Sequence, residues 1–385
     1  MVHLGRARTR ARALTLIAAA ATATALGGCA AAGSSNVKVS GKALTIYASV
    51  PAGTASDQTV QDVLDAERLA FSRKHSEVSA FTVSLRTIQA AKLSDNGRTA
   101  IQDTTAIAYL GEIPPGASAD SLGITNAQDL LQVSPTDTAV ELTQSTPAVP
   151  NSPNRYYESL KSYGRTFARV VPTTAKEAQA QVREMQGLKV KRLYVADDGS
   201  PYGRAIAAAV KQDATPAISV VSTPAGADGA FYGADSASAA IRTFTSIAHA
   251  SPTAKLFGPS ALATETFASG MTAGARTIYV SVPGVPRVDL PAAGEQFIAD
   301  FTSTYGHAPA PQAIFGYEAM AAVLDVLKQA GSSANSRSTV VSDFFAIKNR
   351  TSVLPTYSIN ANGDTSLAVF VFDRVRAGKL VLGQG

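Results

Sequence analysis

Short apolar runs alternate with stretches of helical spacing along most of this chain. Residues 43–50 (ALTIYASV) form an apolar run that stops at Pro51-Ala52-Gly53-Thr54, and residues 57–74 follow with Val60, Val63, Leu64, Glu67 and Phe71 at helical intervals. Residues 81–85 and 104–110 read as strands around a helix near 89–101, and a further apolar run at 130–133 ends in Ser134-Pro135-Thr136-Asp137-Thr138. Parallel strands need long crossover connections, usually helices, so this alternation predicts a parallel sheet covered by helices on both faces.

The polar, proline-bearing stretch 145–154 predicts a boundary, after which the pattern restarts. Strands are expected at 166–171, 190–196, 217–221, 229–232, 255–257 and 277–281. Helices are expected at 174–186, 202–212, 236–248, 292–305 and 313–330, the last closed by Gly331. The tail changes period: 356–360, 366–374 and 380–382 read as strands separated by turns at Asn362-Gly363 and Ala377-Gly378. The expected fold class is α/β, with two doubly wound parallel-sheet lobes and a short antiparallel C-terminal tail.

Composition narrows the classes. A chain of 385 residues that is 45% hydrophobic and 16% charged has apolar surface enough for two or three domains and too little charge for a solvated coil. Its one cysteine allows no internal disulfide and no cysteine-rich zinc site. The net charge of +5 is concentrated at the start. Arg6, Arg8, Arg10 and Arg12 stand in the first 28 residues, where no Asp or Glu occurs, and beyond them 30 basic residues face 29 acidic ones. No basic stripe suited to a phosphate backbone is left, so nucleic acid is not expected as a partner.

Those arginines precede an apolar run at 13–26 and then Gly27-Gly28-Cys29. A charged start, an apolar middle too short to span a bilayer comfortably and small residues before a cut are the parts of a secretory signal. The spacing to Cys29 resembles the bacterial lipobox. That resemblance implies a signal peptide at 1–28, acylation of Cys29 as the first mature residue, and attachment to the extracytoplasmic face of the cell membrane. Residues 30–39, rich in Ala, Gly and Ser, read as a flexible tether, and the whole segment 29–42 is expected to link lipid to folded body.

Doubly wound sheets bind ligands beyond the carboxyl ends of their strands, where the strand order reverses. The loops at 51–57, 111–118, 134–138, 197–203, 233–236 and 258–262 occupy such ends. Several are rich in Gly, Ser and Thr, whose amides and hydroxyls can approach a small polar ligand closely. Taken singly, each is explained by turn formation, and it is their recurrence that points to a site. Signatures of catalysis are not found: there is no Gly-x-Ser-x-Gly elbow, no complete phosphate-binding loop and no Gly-x-Gly-x-x-Gly after a strand. Beyond the leader only His75, His249 and His307 occur, widely separated, and Asp197-Asp198 followed by Gly199-Ser200-Pro201 fits a turn and a helix start. No catalytic residue, metal ligand or cofactor is expected.

Several motifs occur in a fixed order: residues 111–126, Gln132-Val133-Ser134-Pro135-Thr136-Asp137-Thr138, Phe167-Ala168-Arg169-Val170-Val171-Pro172-Thr173, Asp197-Asp198-Gly199-Ser200-Pro201-Tyr202-Gly203, Phe315-Gly316-Tyr317-Glu318-Ala319, and Asn362-Gly363-Asp364 with Arg376-Ala377-Gly378-Lys379. That order resembles that of the leucine/isoleucine/valine-type periplasmic binding proteins, the type I solute receptors of ABC transporters. The resemblance covers nearly all of the mature chain. It implies two lobes joined by three crossing strands, a small ligand trapped as the hinge closes, and ABC permease and ATPase subunits as partners. Lobe 1 would comprise 43–157 with 286–349, and lobe 2 would comprise 158–285 with 350–385.

Within that resemblance Thr138 matches the threonine after Ser-Pro and Tyr202 the aromatic residue that covers the ligand. Thr136, Gly116, Ala117, Ser260 and Thr54 lie in the same strand-end loops and complete the expected contacts. Two departures stand out. Pro114-Pro115-Gly116 replaces a Ser-Ser pair, removing hydroxyls and a backbone donor. The acid expected near Ser260-Ala261 is missing, and an unpaired ligand ammonium in a closed cleft is expensive to desolvate. Asp235 is placed to supply that charge, or equally to cap the helix that follows it. The expected function is a lipid-anchored receptor for a small polar solute, an amino acid or similar, that is not a branched-chain amino acid. A sensing or structural lipoprotein of the same fold, and an extracellular α/β hydrolase, are the alternatives.

Overall fold

Apolar runs without polar alternation make strands buried on both faces. In the computed structural model, which describes residues 37–157, 164–271 and 277–382, the run at 43–49 does this. β1 (Ala43–Ser49) is buried along all but its first residue. It ends before Pro51, and the next helix, α1 (Gln58–Lys74), starts where the Asp57 carboxylate accepts the Val60 amide at 3.2 Å and stops on Arg73 and Lys74, whose charges suit the helix C-terminus. β2 (Thr82–Ile88), α2 (Leu93–Gln102), β3 (Ala106–Leu110), α3 (Leu122–Asn126), β4 (Leu131–Ser134) and β5 (Phe167–Arg169) follow. These strands form a parallel sheet in the order β2-β1-β3-β4-β5, whose order reverses between β1 and β3.

The second sheet starts with α4 (Thr174–Gly187) and runs through β6 (Arg192–Asp197), α5 (Pro201–Ala214), β7 (Ser219–Val221), β8 (Gly229–Gly233), α6 (Ala237–Ala250), β9 (Lys255–Gly258), α7 (Glu265–Gly270) and β10 (Ile278–Pro283). Then α8 (Ala292–Tyr305), α9 (Ala313–Ala330) and α10 (Arg337–Phe345) intervene, and β11 (Phe370–Arg376) and β12 (Lys379–Leu382) complete it as an antiparallel hairpin. Its order is β12-β11-β10-β9-β8-β6-β7, reversing between β6 and β8.

α9 is apolar nearly all round and is buried from Ala313 to Tyr317 and beyond, as a helix in the middle of a core must be. It sits so close to α1 that a side chain at Gly316 would strike the Val63 carbonyl. Phe297, Phe301 and α9 share one core with β1, β3, β4 and the segment around Tyr357 and Ile359. Among the described residues the chain therefore passes between sheets three times: at 170–173, at 284–291 and at 368–369.

Three expected boundaries change. β5, assigned above to lobe 2 by the break at 157/158, hydrogen-bonds to β4 in the first sheet, so the first crossing comes after Arg169. A strand's apolar composition is the same whichever sheet receives it. Residues 350–367, assigned to lobe 2, pack Val353, Leu354, Tyr357, Ile359 and Leu367 into the first lobe's core, and only the hairpin returns. Finally, residues 37–39 are not tether. Val39 is buried, its amide bonds to Asn335 O at 2.8 Å, and Arg337 N bonds to Val37 O at 3.0 Å. The leader and Cys29 lie outside the described residues. Among the described residues no helix is long and apolar enough to cross a membrane.

Candidate ligand-binding site

The carboxyl ends of both sheets face one another, and the loops there carry the residues singled out above. On the first lobe, the loop after β4 closes on itself. Ser134 Oγ donates to Glu112 O at 2.7 Å and accepts the Asp137 amide at 2.8 Å, and Thr136 Oγ1 donates to Ile113 O at 2.5 Å. The Asp137 carboxylate, fully buried, accepts the amides of Gly116 at 2.6 Å, Ser118 at 2.9 Å and Ala139 at 3.0 Å. Gly116 has φ +84°, a conformation that favours glycine, and its Cα faces Tyr202 Cβ across the lobe boundary. Ala117 donates its amide to Pro114 O at 3.1 Å. Gly116 and Ala117, expected to offer amides to a ligand, have both amides engaged within the protein.

On the second lobe four segments converge on one carboxylate. Glu177, in the first turn of α4, is fully buried. It accepts the Ser260 amide and the Ser281 hydroxyl, each at 2.6 Å, on one oxygen and Ser260 Oγ at 3.1 Å on the other. Tyr202 enters from α5, whose start is fixed by Ser200 capping the Gly203 amide at 2.9 Å and by Pro201 in the first turn. Its hydroxyl stands 3.3 Å from Ser260 Oγ and 3.5 Å from Glu177. Burial pushes the Glu177 pKa up while these donors oppose it, and burial followed by the Glu177 charge holds the Tyr202 phenol well above its ordinary value. Thr138 brings its hydroxyl from the first lobe to face both groups, buried and without a hydrogen bond of normal length.

The lobes touch directly around this group. Thr174 N donates to Thr138 O at 2.7 Å, Val140 N to Thr174 Oγ1 at 3.2 Å, and Arg204 Nε to Ala148 O at 3.3 Å. Leu122, Ala139 and Leu142 pack with Ala178, Val182 and Tyr202, and Val140 with Ala205. Deeper in the first lobe Arg169 is sealed against Asp364 at 3.0 Å and donates to Asp137 O at 2.7 Å and Thr143 Oγ1 at 3.0 Å.

Thr138, Tyr202 and Ser260 are thus brought together, with Gly116 beside the Tyr202 Cβ, while Thr136 serves the loop backbone. Thr54 is not part of the group: its hydroxyl donates to Pro51 O at 2.8 Å within its own turn. Asp235 is exposed and does not cap α6, a role taken by Ser236, which accepts Ala239 N at 3.4 Å. Its amide instead bonds to Asp198 Oδ2 at 3.1 Å, and desolvation with that neighbouring carboxylate raises its pKa. Asp137, Glu141 and Glu177 were missed from sequence. Acids in a loop or a first helical turn ordinarily face water, and nothing in their spacing marks them as buried. Among the described residues no three His, Cys, Asp or Glu side chains are grouped as metal ligands. A separate cavity of about 750 Å³ lies between α8, the start of α9 and β11, lined by Phe297, Ile298, Phe370 and Phe372, and none of the residues singled out above lines it.

Two α/β lobes, three crossings and polar side chains meeting at the strand ends define the type I periplasmic binding protein fold. No family model and no curated protein matches the sequence. Among solved structures, a leucine-binding protein, LivK, of Thermotoga maritima superposes with a TM-score of 0.71 at 16% identity, covering 88% of this chain and 97% of that one. An ABC transporter substrate-binding protein of Desulfitobacterium hafniense in complex with Leu gives 0.69 at 16% identity, covering 89% and 100%. A solute-binding protein of R. palustris in complex with benzoate gives 0.64 at 16% identity, covering 88% and 95%. At such identities the likeness is one of fold.

Proposed function

We propose that this chain is an extracytoplasmic solute-binding receptor, anchored through lipid on Cys29, that captures a small polar ligand between its lobes and delivers it to the permease and ATPase of an ABC importer. The observation that carries this reading is the meeting of Thr138 from one lobe with Tyr202, Ser260 and Glu177 from the other. A ligand contacting both lobes favours the closed form by its differential affinity, and opening releases it. The neighbours of like fold include a leucine-binding protein and a solute-binding protein in complex with benzoate, so the fold accommodates different solutes. On this reading the chain binds and releases its solute and leaves it unaltered, and among the described residues the histidines engage other groups: His75 stacks on Phe71, His249 bonds to Thr245 O, and His307 stands 3.7 Å from Asp62. Ser260 and Ala261 carry no acid, Pro114-Pro115 carry no hydroxyl, and the carboxylate beside Ser260, that of Glu177, already accepts Ser260 and Ser281, which supports a ligand other than leucine, isoleucine or valine.

A thermal-shift screen of the full chain against amino acids, peptides, amines, sugars and carboxylates tests this. A true ligand at a hundred times its dissociation constant adds roughly 2.7 kcal/mol to the folded state. A shift confined to one chemical class supports the receptor. Silence across all classes after refolding favours the alternative of a structural lipoprotein, to which the direct packing of Leu122 and Leu142 on the second lobe would then belong.

A further inference from the structure

Resting on that receptor reading, we infer that the solute is a cation without a carboxylate, an amine or guanidinium compound. It is held between Glu141 of the first lobe and the Asp198–Asp235 pair of the second. The inventory of donors and acceptors at the lobe boundary carries this. Nearly every group able to receive an anion is already taken, the Thr138 hydroxyl, a single neutral donor, being the exception. The amides of Gly116, Ser118 and Ala139 all go to Asp137, and those of Val140 and Thr174 bridge the lobes. Arg169 is held by Asp364, and Arg204 by the carbonyls of Gly199 and Ala148. A solute carboxylate would meet no free cation or amide among them and only the one neutral hydroxyl of Thr138.

The acceptors are in the opposite condition. Glu141 is 1% exposed, and its Oε2 is buried with no hydrogen-bond partner. It lies in a short turn whose neighbours Val140 and Leu142 pack against the second lobe. Its carboxyl faces Asp137, Arg169 and, across the boundary, Asp235, and burial raises its pKa to about 7. Asp198 and Asp235 stand in the loops after β6 and β8, where the second sheet reverses its strand order, the usual place for a ligand in such a sheet. An unpaired buried carboxylate is costly, and like charges across a closing cleft oppose closure. A cation between them removes both penalties at once, and so couples its own binding to closure.

The test is a calorimetric titration of the full chain with putrescine, agmatine and 3-methylbutylamine, set against leucine and 4-methylpentanoate. The expected result is binding of at least one amine or guanidinium compound a hundredfold or more tighter than leucine or 4-methylpentanoate. Glu141→Gln is expected to weaken it tenfold or more. Asp235→Asn, in an exposed loop whose change leaves folding intact, is expected to weaken it as well, with melting curves confirming that both variants fold. Tighter binding of leucine or 4-methylpentanoate, or amine affinity unchanged in both variants, overturns the inference and leaves the receptor standing. No binding of any of these, together with no shift in the wider screen, overturns both.

Discussion

The two faces that meet at the lobe boundary, the walls of the proposed site, are built on different plans. The first-lobe wall is made by two loops close in sequence, 111–118 and 134–139, tied by backbone amides to the single carboxylate of Asp137. The second-lobe wall gathers Glu177, Tyr202, Ser260 and Ser281 from α4, α5, the turn after β9 and β10. A wall closed by short-range bonds is formed as soon as its sheet is, whatever the other lobe does. A wall assembled from four elements exists only once the second sheet and its helices are packed.

The sharpest way to break this contrast is Asp137→Ala. It leaves three buried amides without an acceptor, and is expected to cost about 3 to 4 kcal/mol in urea unfolding. A cost below about 1 kcal/mol would mean the loop is not held by that carboxylate.

The next largest effect is on pH dependence. In the first lobe burial raises Glu67 to about 8, and Glu112 and Glu141 to about 7. These groups hold a proton in the folded chain that they release near pH 4.5 when unfolded. The stability they contribute is therefore full below that pH and is lost as pH rises through 7 to 8. The melting temperature is expected to fall between pH 5 and 8.5, and Glu67→Gln to flatten that slope. A rising slope would contradict the burial of these acids. Asp103, Glu77 and Asp300, whose pKa values are lowered, act in the opposite sense only as pH drops below the ordinary carboxylate range.

The smallest effect belongs to the second wall. Tyr202→Phe removes a hydroxyl whose contacts are 3.3 and 3.5 Å long, so it is expected to cost no more than about 1 kcal/mol in the same unfolding assay. A loss equal to that of Asp137→Ala would erase the difference between the walls.

Much of the architecture is legible in the sequence because it follows from period and punctuation. The helices at 292–305 and 313–330 are found where their spacing places them, and the Ala377-Gly378 turn closes the terminal hairpin. Sheet membership is not legible. The three residues of β5 are apolar enough for either sheet, and only the first offers β4 as a partner. The site divides in the same way. Thr138, Tyr202 and Ser260 stand in motifs at strand ends, whereas Glu177 and Glu141 differ from any surface acid only by what packs over them. That packing involves residues more than eighty positions away, as the bond from Ser260 N to Glu177 shows.

The proposed receptor works only if a solute is gripped by both walls at once. The most direct measurement is the affinity, by calorimetry, of the solute found in the screen for the native chain, Thr138→Ala and Tyr202→Ala. Each substitution, one per lobe, is expected to weaken binding at least tenfold while the chain still melts cooperatively. Unchanged affinity in both variants would contradict it and move the site elsewhere, with the 750 Å³ cavity beside α8 and β11 the place to look.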